Sequence, residues 1–243
     1  MTWYKDWFNS EHYLRVYSHR DQSEAERLVE LISKNLILHD NPSLLDMACG
    51  AGRHAVAFAK LGFKVTAIDL SQRLISEAKL SAEQAGAEID FVLSDILEYE
   101  SNKRFDLVIN LFTSIGYFEN DEENYAVIEK AYNHLKPDGY FVIDYFNKDF
   151  LMKNLVPTTV FSENGLKITQ NRSIEGTRVI KKIIIENNGH NEQFYESVRL
   201  FSYEEILFSI KKAGFTIFKQ YGDYFGNDYV SETSPRLIIF VVK

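Results

Sequence analysis

The chain has 243 residues, 45% hydrophobic and 26% charged, enough to bury one sizeable core. A formal net charge of −8 argues against a polyphosphate partner, since non-specific nucleic-acid affinity comes from lysine and arginine. The single cysteine, Cys49, excludes an internal disulfide, and no apolar run reaches the ~18–20 residues that span a bilayer.

The N-terminal MTWYKDWFNSEHY lacks a signal peptide's order of basic, apolar and small residues, so a cytoplasmic location without membrane contact is expected. Trp3, Tyr4, Trp7, Phe8, Tyr13 and Tyr17 crowd this end of the chain. They suit either a segment docked on the core or a lid; Tyr13 and Tyr17, four apart, share a helical face. Ser23 and Glu26 have the spacing of a capping box, and Leu28, Leu31, Ile32 and Leu36 that of an amphipathic helix. SLLDMA is a strand, followed by a helix from Arg53 to Leu61 that Gly62 stops. Phe63 to Asp69 forms a second strand, and a second helix runs from the N-cap Ser71 to the terminator Gly86. Ile89 to Asp95, Phe105 to Phe112 and Gly139 to Phe146 supply three more strands, with a helix capped by Asn120 and Glu123 before the turn KPDG.

After Phe150 the pattern changes to alternating segments, GLKITQNRSI, TRVIKKIII and EQFYESVRLF, which predict an antiparallel insert over 151–201. Arg172, Arg178, Lys181 and Lys182 form its nearest approach to a basic cluster and, alternating along strands, are expected to be solvated. Ser202 and Glu205 open a last helix, ending at Gly214, before two terminal strands. The order predicts one α/β domain over 1–243: a Rossmann-like, seven-stranded, mostly parallel sheet with helices on both faces. Its parts are an N-terminal helical lid (1–36), a cofactor-binding core (37–150), the insert and the final helix and strands (202–243).

LLDMACGAGRHA places two glycines between a strand and a helix, where backbone approaches a ligand closely and free N–H groups favour negative charge. Gly50 to Ala55 also fits the dinucleotide pattern G-x-G-x-x-G/A, and an ordinary tight turn is the plain alternative. Asp46 separates the candidates: a carboxylate at the strand end suits a ligand without phosphates better than a pyrophosphate.

Here the chain resembles the class I S-adenosylmethionine-dependent methyltransferases, whose first motif is an acid followed by small residues and glycines. DMACGAG departs from that motif by placing Ala48 at the first glycine position. The resemblance implies a cofactor site of Asp46, Ala48, Gly50 and Gly52, with Asp69 and Leu70 at the ribose, Asp95 and Ile96 at the adenine edge, and Leu111 in FDLVINLFTSIGYF beside the methyl. If the N-terminal aromatics form a lid, Tyr17 closes over the cofactor; the resemblance implies that Arg20, 26 residues before Asp46, meets its carboxylate, with a solvated arginine as the alternative. Asn110, Thr113, Ser114, Tyr117 and Tyr145 are the polar candidates near the methyl, with Tyr117 and Asn110 as those that position the acceptor.

His54 either faces the cofactor or orients the loop, Arg53 is a solvated first-turn residue or a neighbour of Asp46, and Cys49 is a small residue in a crowded turn. The six histidines form no metal-ligand pattern. The resemblance is nearest to the small-molecule branch, including the sugar N,N-dimethyltransferases. It implies methyl transfer from S-adenosylmethionine to a small-molecule nitrogen or oxygen by direct displacement, with S-adenosylhomocysteine as product and oligomerisation through the insert as an option. A protein or RNA acceptor, and a cofactor binder without turnover, are the alternatives.

Overall fold

The computed structural model describes residues 3–18, 22–187 and 190–243. Seven strands build the main sheet: β1 (Ser43–Met47), β2 (Lys64–Asp69), β3 (Ile89–Leu93), β4 (Phe105–Asn110), β5 (Leu135–Phe146), β10 (Thr216–Tyr221) and β11 (Arg236–Val242). Their spatial order is β10-β11-β5-β4-β1-β2-β3, and β11 alone among them runs antiparallel to its neighbours. Because both faces are covered, the central strands are apolar throughout, and the two-residue period deals their side chains into two cores. Leu45, Val108, Phe141 and Ile143 pack with α6 (Asp121–His134) and α8 (Tyr203–Lys212). Leu44, Leu107, Ile109 and Val142 pack with α3 (Gln22–Lys34), α4 (Arg53–Lys60) and α5 (Gln72–Ala85).

Local signals account for most boundaries. Ser71 accepts from the Leu74 amide and Asn120 from the Glu123 amide, while Ser202 and Glu205 form a reciprocal capping box. Ser23 and Glu26 form no such box: the helix is already running at Gln22, and the Ser23 hydroxyl accepts from Arg27 instead. The KPDG turn is absorbed into β5 as an irregularity, with Asp138 at φ 61° between the pairs Phe105–Leu135 and Leu107–Tyr140.

The antiparallel sheet has four strands, not the three segments read from the sequence: β6 (Thr158–Glu163), β7 (Leu166–Glu175), β8 (Arg178–Asn187) and β9 (His190–Arg199). A short helix, α7 (Lys148–Asn154), precedes it. At the N-terminus, α1 (Trp3–Asn9) and α2 (Tyr13–Val16) place Trp7, Val16 and Tyr17 on Leu166, Ile168, Ile183 and Ile185 of this sheet, forming a third core. Among the described residues no helix is long and apolar enough to cross a membrane.

Candidate cofactor and methyl-transfer site

At the C-terminal ends of β1, β2 and β4 lies a cavity of about 250 Å³, lined by Asp46, Ala48, Gly50, Asp69 and Leu111. Phe8, Tyr13, Leu14, Tyr17 and Ser18 line it from α1, α2 and the residues after them. This is where a parallel α/β sheet binds its ligands. Ala48 holds φ 67°, so the residue at the family's glycine position adopts the left-handed backbone that glycine takes without strain. Gly50 also has positive φ and open space where a Cβ would stand, which leaves its backbone accessible from the cavity. Gly52 serves helix packing instead, because a Cβ there would come 2.9 Å from that of Ala78; the glycine lets α4 and α5 approach.

Asp69 receives the Gly50 amide at 2.8 Å and the Ser71 amide at 2.9 Å, tying the turn to the end of β2. Burial raises its pKa against the opposing effect of those amides. Asp46 is 2% exposed, and its Oδ2 has no hydrogen-bond partner. Burial, with Asp69 nearby, pushes its carboxyl up to about 8. His54 is 7% exposed, its Nε2 lacks a partner, and burial with the Arg53 charge lowers it to about 3, so the ring is neutral. Burial also raises the Cys49 thiol, which leaves it protonated in its crowded turn. Arg53 lines the cavity with its guanidinium 5.1 Å from the centre of the Phe112 ring.

The loop after β4 is the second wall. Phe112 and Thr113 are consecutive non-glycine residues at φ 61° and 62°, a strained reversal. Asp144, fully buried at the end of β5, holds it: its carboxylate receives the Phe112 amide at 2.9 Å and its carbonyl the Thr113 amide at 2.9 Å. Arg236 and Tyr224 complete the clamp, donating to the Asp144 carboxylate at 2.8 and 2.9 Å. Further along, Arg178 donates to the carbonyls of Gly116 and Phe118 at 3.0 and 3.1 Å, fastening the insert to the loop.

Arg178 is therefore not solvated as expected. Lys181 pairs with Glu196 at 2.7 Å, Arg172 donates to Thr159 at 3.1 Å, and Lys182 lies 6.0 Å from the Tyr195 ring centre. Glu196 also receives the Trp7 indole N–H at 2.7 Å and the Tyr17 hydroxyl, so one insert carboxylate ties down the N-terminal segment. That segment is thus both docked, on the insert, and a roof to the cavity.

Tyr117 lines the cavity and also an adjoining recess of about 840 Å³ bordered by Trp3, Tyr4, Phe118 and Arg178. Its ring centre lies 5.3 Å from Trp3 and 5.6 Å from Phe8. Ser114 lines the cavity but donates its hydroxyl to the Leu111 carbonyl. Asn110 is fully buried, its amide donating to the Met47 carbonyl at 3.0 Å, and it does not line the cavity. Tyr145 is likewise internal and donates to the Arg199 carbonyl, which removes it from the methyl side. Thr113 accepts from Arg236 at 3.1 Å. Leu70 and Asp95 line a further recess with Lys5 and Asn9 of α1, Asp95 also lines the recess beside Tyr117, and Ile96 is buried next to it in sequence. Arg20 lies outside the described residues.

The sequence reading missed Asp144, Arg236, Tyr224 and Glu196. An acid inside the apolar strand GYFVIDYF was the available signal for Asp144; the others carry none. Among the described residues no His, Cys, Asp and Glu cluster is arranged to hold a metal.

Residues 44–139 match the family described as Methyltransferase domain. A protein of Geobacillus sp. (strain WCH70), named as a methyltransferase, is 29% identical over 209 residues, 82% of this chain and 83% of that one. The fold is shared with an S-adenosylmethionine-dependent methyltransferase from Clostridium acetobutylicum ATCC 824: TM-score 0.79, 20% identity, 95% of both chains covered. It is also shared with an amino pentose methyltransferase from Micromonospora echinaspora solved with S-adenosylmethionine bound: TM-score 0.69, 19% identity, 96% of this chain and 97% of that one. Residues 44–139 thus match a methyltransferase domain, and the fold of nearly the whole chain is one that S-adenosylmethionine-dependent methyltransferases share.

Proposed function

We propose that this chain is an S-adenosylmethionine-dependent methyltransferase that methylates an amino or hydroxyl group of a small organic molecule bound where the Tyr117 loop meets the insert. The observation that carries the reading is the recess joined to the cavity at Tyr117, where the rings of Trp3, Tyr4 and Phe118 stand beside the carboxylates of Asp95, Glu98, Glu119 and Glu123: a concave site of aromatic faces and acids suits a compact, polar organic acceptor. The net charge of −8 and the engagement of Arg172, Arg178, Lys181 and Lys182, the insert's basic cluster, leave little for a nucleic-acid backbone.

The residues present fit the cofactor. Asp46 offers an unpartnered carboxyl for an ammonium group, Asp69 a carboxylate whose free lone pairs accept from hydroxyls, and Gly50 an open backbone. When bound, the cofactor supplies an electrophilic methyl on a sulfonium. The chain's own work is alignment and dryness: Tyr117 and Leu111 orient what lies at the end of β4, while Phe8, Tyr13, Leu14 and Tyr17 exclude water.

The test is tritiated-methyl transfer run in parallel on bulk RNA, on cell protein and on a small-metabolite extract. Label confined to metabolites, and reduced in Tyr117→Ala with S-adenosylhomocysteine binding intact, is the expected result. Robust label in RNA or protein would overturn the small-molecule reading.

A further inference from the structure

Asp46 and His54 both line the cavity, and each carries a buried polar atom without a hydrogen-bond partner, Oδ2 and Nε2. An unsatisfied buried polar group is costly to keep, so two of them on residues that line one cavity are expected where a ligand completes them. The two differ in kind. Asp46 accepts, and an ammonium is its natural complement; His54 is the second residue of α4, where first-turn amides and the helix dipole favour an anion. Arg53, one residue earlier on the same cavity wall, adds positive charge. An α-amino acid carries an ammonium and a carboxylate on one carbon, and these two orphaned atoms match that pairing.

We infer that His54 holds the carboxylate of the cofactor's amino-acid end by donating its Nε2–H. The inference rests on the cofactor's occupancy of this cavity. It makes His54 a binding residue, not a base: the ring is neutral, and it offers a directed N–H without a competing charge beside Arg53. The alternative is a histidine kept only for packing, since its ring lies 5.7 Å from that of Phe112.

Calorimetry with three ligands separates these roles: S-adenosylhomocysteine, its decarboxylated analogue that keeps the amine, and methylthioadenosine, which has neither group. His54→Ala is expected to weaken S-adenosylhomocysteine about ten- to a hundredfold, the loss of a charge-assisted hydrogen bond, and to leave the other two unchanged. His54→Gln, whose amide N–H extends in the same direction, should recover part of that loss. Equal weakening of the decarboxylated analogue would place His54 at the amine or in the packing and overturn the assignment, as would weakened methylthioadenosine binding or unchanged S-adenosylhomocysteine binding. Failure of the unmodified protein to bind any of the three would instead refute the cofactor site itself.

Discussion

Replacing Asp46 with asparagine should stabilise the ligand-free protein, and by more at neutral than at acid pH. In the folded chain burial, aided by Asp69, raises this carboxyl to about 8, whereas in the unfolded chain it titrates near 3.9. Between those values the folded state retains a proton that the unfolded state has released, so stability falls as pH rises from 3.9 toward 8. At 1.36 kcal/mol per pH unit the cost is about 1.5 kcal/mol at pH 5 and about 4 kcal/mol at pH 7. Asparagine has no such titration. Any fixed packing penalty of the amide is the same at both pH values, and the depressed His54 acts equally in both proteins, so the change in their difference isolates Asp46. The variant should therefore gain about 2.5 kcal/mol on the wild type between pH 5 and pH 7, or about 5–10 °C in melting temperature for a chain of this size. Thermal melts of both proteins at the two pH values measure it. An offset that does not change with pH would show that Asp46 is already ionised in the folded protein. Because the amide carries no charge for an ammonium, the same variant should bind S-adenosylhomocysteine more weakly, the usual trade of stability against function at a site.

Two further outcomes follow from the geometry. Glu196→Ala leaves Lys181, Trp7 and Tyr17 without their shared acceptor, and hydrogen exchange should show faster exchange across 3–17 with the main sheet unaffected; unchanged protection there would mean that the third core alone holds the roof. Ala48→Gly relieves a left-handed non-glycine residue, and denaturant melts should show up to about 1 kcal/mol of added stability after the glycine's larger unfolded-state entropy is deducted; a loss would mean that packing of the Ala48 methyl outweighs the strain.

What the sequence disclosed divides along the range of the interactions. The helix caps at Ser71, Asn120 and Ser202 act within three residues, and the alternation of Leu44 with Leu45 and of Leu107 with Val108 is printed along the strand. The glycine turn with Asp46 and Asp69 was legible for the same reason, as strand ends adjacent in a parallel sheet. Strand β6 was also within reach: Asn164-Gly165, both at positive φ, forms a two-residue hairpin between Glu163 and Leu166, and this dipeptide is the strongest short hairpin signal. The Asp144–Arg236 pair, by contrast, spans 92 positions, and Glu196 meets Trp7 across 189. No local pattern marks such partners, because they meet only once the sheet is assembled.

Two acids on neighbouring strands show how the fold assigns stability to one edge of the sheet and binding to the other. Asp106, near the start of β4, receives Lys136 at 2.8 Å, the Ser43 amide at 2.8 Å and His39 at 3.0 Å. Burial opposes its ionisation, but these partners prevail and hold it well below the usual carboxylate range. Asp46, near the end of β1, has an unpartnered oxygen and is raised instead. An unpartnered carboxyl oxygen where β1 ends at the cavity, against a fully paired carboxylate where β4 begins, is what is expected where a ligand and not the protein itself completes the site.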